Sequence, residues 1–140
     1  MFENCKELKS LDLNHFDMSW NKDMSYMFSG CDNLEELKIS SFDTSLVRDM
    51  SHLFDHCSSL ENLDISSFDT SVMTRMDYML SYIGVKNLDL RKLDTSNVKT
   101  FEGVFEGCEG LNITINQKKC KNLIPIIPEY VHYDLIEDYF

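Results

Sequence analysis

The chain has 140 residues, 43% of them hydrophobic and 26% charged, which describes one folded domain and not a disordered segment. Lys plus Arg number 13 and Asp plus Glu 24, a net charge of −11 that repels phosphate backbones and argues against a nucleic-acid partner. No apolar run approaches the ~20 residues of a membrane-spanning helix, so membrane insertion is not expected.

The chain opens Met1-Phe2-Glu3-Asn4-Cys5-Lys6-Glu7-Leu8, which is patterned domain sequence with no basic-then-apolar leader. Localisation is therefore left open by the residues themselves. The same pattern returns along the chain. Met27 to Ser45 repeats as Leu53 to Ser71, is present earlier from Met1 to Ser19, and recurs from Met79 and from Val104. Starts at 1, 27, 53, 79 and 104 give steps of 26, 26, 26 and 25. Such a period implies an α/β solenoid of about four and a half coils over residues 1–116.

Three pieces recur in each coil. The first is Leu-x-x-Leu-x-Leu/Ile, as in Leu8-Leu11-Leu13, Leu34-Leu37-Ile39 and Leu60-Leu63-Ile65, whose alternation predicts a short parallel strand. The second is Phe-Asp-Thr-Ser, a turn in which Asp17, Asp43, Asp69 and Asp94 bond to nearby backbone N–H groups. The third is Val-x-x-Met-Ser-x-Met/Leu-Phe-x-x-Cys. There Ser25, Ser51 and Asp77 stand where a helix N-cap belongs, and a short helical turn per coil is expected. Phe2, Phe28, Phe54, Leu80 and Phe105 form one internal ladder; Met24, Met50, Met76 and Phe101 form another.

The motif Met-Phe-x-x-Cys-x-x-Leu-x-x-Leu-x-Leu/Ile-Ser-x-Phe-Asp-Thr-Ser resembles the 26-residue repeat of BspA-like leucine-rich repeat surface proteins. The resemblance implies a leucine-rich repeat protein that binds other proteins or mediates adhesion, at the cell surface or secreted. A structural or truncated piece of a longer array, without its own partner, is the alternative.

Candidate chemistry is sparse. Cys5, Cys31, Cys57 and Cys108 share one repeat position, with Ile83 in the fourth coil, and read as buried free thiols. Cys120 stands apart and is expected to react first if exposed. The aspartate row allows a calcium-binding reading as a further alternative, though no calcium-loop spacing accompanies it. His15, His52, His56 and His132 read as loop histidines. No nucleophile, phosphate-loop or dinucleotide motif occurs, so neither an enzyme nor a cofactor is expected.

Function is instead expected on the outward strand positions, where Lys9, Asp12, Glu36, Lys38, Asp64 and Asp89 are the candidate protein-binding residues. Residues 117–140 leave the period and divide into an apolar cap around 122–128 and an acidic, aromatic tail. At the other end, Phe2, Cys5 and Leu8 face nothing, which implies either a homodimer through that end or a place in a longer array.

Overall fold

The computed structural model describes residues 1–137; Asp138, Tyr139 and Phe140, the end of the expected tail, lie outside the described residues. Five short strands form: β1 (Ser10–Asp12), β2 (Glu36–Lys38), β3 (Asn87–Leu90), β4 (Asn112–Asn116) and β5 (His132–Ile136). They make two small parallel sheets, β1-β2 and β3-β4-β5. Leu11 lies opposite Leu37, Leu88 opposite Ile113, and Ile113 opposite Tyr133. Strands stay short because the alternation of apolar and polar residues lasts only a few positions before the turn-forming Asp/Ser cluster.

Residues 61–65 carry the same pattern but form no strand. Their backbone makes no hydrogen bond to β2 or β3, so the sheet is interrupted there. At the repeat offset Glu61 falls beside Glu35, and Asp64 beside Asp89. Like charges about 5 Å apart repel by roughly 1 kcal/mol even in water, which disfavours close pairing.

The expected α/β architecture is corrected here. Among the described residues there is no α-helix, and the one 3-10 helix is Ile124–Ile126. The chain is two small parallel sheets joined mostly by turns and loops, not about four and a half coils each carrying a helical turn. The physical reason lies in the segment that follows Ser25, Ser51 and Asp77. Tyr26, His52 and Tyr78 have φ of 60°, 58° and 56°, in the left-handed region, and Gly30, His56 and Tyr82 repeat this four residues later. A left-handed residue every fourth position prevents a right-handed helix. The segment becomes a chain of tight turns instead, with Ser29 N–H donating to Tyr26 O and Cys31 N–H to Phe28 O.

Alternate N–H groups of this segment point to the next repeat. Met24, Tyr26, Phe28 and Gly30 donate to the carbonyls of Asp49, Ser51, Leu53 and Asp55, and Met50, His52, Phe54 and His56 donate in turn to Arg75, Asp77, Met79 and Ser81. Each repeat therefore satisfies its backbone through its neighbour, not through a helix. Ser25 and Ser51 are not N-caps: their N–H groups donate to Asp23 and Asp49, and Ser51 Oγ is buried without a partner.

This stacking puts equivalent side chains in register. The Phe2, Phe28 and Phe54 rings lie parallel with centroids 5.9 Å apart. Met24, Met50 and Met76 are buried beside them, and Phe101 is partly buried. Cys31, Cys57 and Cys108 are buried free thiols whose Sγ donate to the carbonyls of Phe2, Phe28 and Leu80. Cys120 is also fully buried, donating to Leu93 O, so it is not the accessible thiol. Cys120 and Leu123 join the same core, and β5 adds a third strand beside β4.

Candidate functional site

The strands set the outward side chains. In β2 the burial runs exposed, buried, exposed over Glu36, Leu37 and Lys38; in β3 Asn87 and Asp89 point out while Leu88 and Leu90 point in. The interruption at 61–65 leaves a trough of about 590 Å³ on this face, lined by Glu35, Glu36, Lys38, Glu61, Asn62, Asp64 and Asn87 over a floor of Leu37 and Leu63. It adjoins a second hollow of about 280 Å³ through the shared residue Asn87; Asp89, Arg91, Thr114 and Asp134 line that one.

Of the six expected binding residues, Glu36, Lys38 and Asp64 meet in the first hollow and Asp89 lies in the second. Lys9 and Asp12 do not line either. Asp12 sits on β1 directly opposite Lys38, and the Lys9 carbonyl accepts the N–H groups of Glu35 and Glu36. Arg91 and Asp134 were not anticipated. Asp134 is brought in by β5, whose sequence lies outside the repeat.

The trough carries an acidic excess: Glu35, Glu36, Glu61 and Asp64 against Lys38 alone. Lys38 Nζ lies 3.6 Å from Glu36 and Arg91 Nε 3.0 Å from Asp89, both exposed pairs that a partner can displace at little cost. Asp12, Asp64 and Asp89 have a second duty. Each accepts the N–H two residues on, from Asn14, Ser66 and Arg91. Hydrogen bonds from Ser66 hold the Asp64 carboxyl below the usual carboxylate range, so it is a firm anion at neutral pH.

A second cluster lies in the turn segments. The His52 ring is sandwiched between Tyr26 at 4.4 Å and Tyr78 at 4.9 Å, and His56 stacks on Tyr82 at 4.6 Å. Asp55 joins them, 2.8 Å from His52 Nδ1 and 2.6 Å from His56 Nδ1, and accepts from Ser81 Oγ of the next repeat. A carboxylate only accepts, which places a proton on both Nδ1 atoms. Burial pushes the Asp55 carboxyl up, but the bonds from Ser81, His52 and His56 outweigh it and the net direction is down. No hydrogen bond joins either imidazole to Ser81 Oγ, and Ser81 is buried. The cluster clamps three consecutive repeats together and supplies no activated nucleophile. The reading of His52 as a solvated loop residue is corrected, while His56 is exposed in a turn. The 26-residue alignment of Tyr26, His52 and Tyr78 was the signal that could have revealed the stack.

The aspartate row has the turn geometry: Asp17, Asp43, Asp69 and Asp94 accept the N–H of Ser19, Ser45, Ser71 and Ser96. Among the described residues, no group of three or more His, Cys, Asp or Glu side chains is placed to hold a metal ion.

Residues 1–123 match a family model described as a Mycoplasma protein of unknown function, DUF285. The chain belongs to this family. The DUF285 match takes in β1 to β4 and ends at Leu123, so the trough lies within it and β5 beyond it. No curated protein and no solved structure matches the chain.

Proposed function

We propose that this chain is a protein-interaction module whose exposed sheet face receives a cationic surface of a partner protein. The carrying observation is the acidic trough, with four carboxylates, one lysine and an apolar floor at the interruption between β2 and β3. The shape and charge favour inserted Lys or Arg side chains whose aliphatic stems cover Leu37 and Leu63. The resemblance to BspA-like surface proteins supports adhesion as the setting.

The test uses a protein partner captured on the immobilised chain and then purified. The double variant Glu36→Lys/Asp64→Lys is expected to weaken binding by about tenfold or more, and affinity is expected to fall with added salt. Alanine at Glu36, Lys38, Asp64 and Asp89 that leaves the purified partner's affinity unchanged would show that the sheet face is not the binding site.

A further inference from the structure

The turn segments form a ladder in which alternate N–H groups of one repeat meet carbonyls of the next. Met76, Tyr78, Leu80 and Tyr82 donate to Thr100, Glu102, Val104 and Glu106. The equivalent donors one repeat later are Phe101, Gly103, Phe105 and Gly107. Among the described residues none of these four N–H groups has a hydrogen-bond acceptor. The ladder therefore ends on a row of donors.

The reason is a shortened final turn. Asn87 pairs with Asn112, a step of 112 − 87 = 25, but Asn112 pairs with His132, a step of 132 − 112 = 20. The chain after β4 reaches β5 through the 3-10 helix and Pro128, and it bypasses the 101–107 segment. What remains is a groove of about 500 Å³ between that segment and Ile126, Pro128 and Tyr130, with Tyr130 Oη donating to Phe105 O across it.

Two further features distinguish this edge from the earlier repeats. Both left-handed positions of the segment are glycine, with φ of 63° at Gly103 and 71° at Gly107. The earlier repeats hold Tyr26, His52 and Tyr78, or His56 and Tyr82, at these places; here the segment has no side chain of its own at either, and the Tyr78 and Tyr82 rings of the preceding repeat pack against the two glycines. The rim is acidic: Glu102 and Glu106 are exposed on it.

We propose that this donor edge is a docking site for a short peptide segment of a partner protein with alternating apolar and basic side chains. Its carbonyls accept the N–H groups of Phe101, Gly103, Phe105 and Gly107. Its apolar side chains enter the groove beside Ile126 and Tyr130, and its basic ones pair with Glu102 and Glu106. This is main-chain recognition of the strand-addition kind, with charge setting preference. It is independent of the sheet-face reading, because no residue of the acidic trough takes part.

The probe is a capped peptide of about eight residues alternating valine and lysine, titrated into the isotopically labelled chain to 1 mM. Amide resonances of Phe101, Gly103, Phe105 and Gly107 are expected to shift and their hydrogen exchange to slow, while those of Glu36, Asp64 and Asn87 stay in place. Glu102→Lys/Glu106→Lys, both exposed positions, is expected to weaken binding about tenfold with an unchanged melting temperature. The proposal is overturned by any of four results: no shift at 1 mM, shifts confined to the trough, full affinity in the double variant, or the four amides already protected from exchange without peptide.

Discussion

The Thr70 hydroxyl, buried in the turn segment, donates to the Asp94 carbonyl at 3.0 Å and accepts the Asp94 N–H at 2.8 Å. Thr44 does the same with Asp69, and Thr95 donates to Lys119 O and to Asn122. At Thr44 and Thr70 one hydroxyl thus satisfies both backbone groups of the residue stacked beside it. Thr70→Val keeps the side-chain volume and removes both bonds, leaving a buried donor and acceptor unpaired. It is expected to cost about 1–3 kcal/mol in urea unfolding, and Thr70→Ser is expected to restore most of it. A valine variant as stable as the parent would show that these bonds contribute nothing net.

Asp55 gives the fold a dependence on acid. Its carboxyl is held below the ordinary range in the folded chain, where burial is outweighed by bonds from Ser81, His52 and His56. An unfolded aspartate titrates near 3.9, so the folded form is stabilised above that value. The contribution disappears as pH falls through the lower, folded value. Asp55→Asn is expected to be less stable than the parent at pH 7 and to show a shallower decline below about pH 4. Urea midpoints measured from pH 7 to pH 3 check both; parallel curves for parent and variant would remove Asp55 from the account.

The legible part of this molecule is its register. A step of 26 residues aligns Leu11 with Leu37 and Phe28 with Phe54, and those pairs are in contact across neighbouring repeats. The inward and outward sides of β2 and β3 also follow from their alternation. What the pattern concealed is backbone conformation. Leu53, Phe54 and Cys57 have helical spacing, yet His52 and His56 on either side have positive φ. Short apolar spacing is compatible with a helix or with a run of turns, and only the satisfaction of N–H groups by the next repeat decides between them. The trough was half visible: Glu36, Lys38 and Asp64 were readable as outward positions, but the loss of pairing at 61–65 that joins them was not. The donor edge at Phe101 to Gly107 depends on a final turn of 20 residues, which no repeat pattern announces.

Thiol reactivity separates the cysteines by their place in the stack. Cys5 is partly exposed in the first repeat, while Cys31, Cys57, Cys108 and Cys120 are buried. Burial pushes the Cys57 thiol far up and the Cys120 thiol up to about 11, and it raises Cys31 and Cys108 as well. The thiolate is the reactive form, so these four are protected twice, by access and by charge. A thiol reagent added to the native protein is expected to label Cys5 in a fast phase. The other four should react only at the rate of opening, with all five titrating after denaturation. Cys5→Ser should abolish the fast phase and leave the slow one unchanged. Rapid labelling of Cys120 in the native state would mean that the segment around Leu123 does not stay packed against the last repeat.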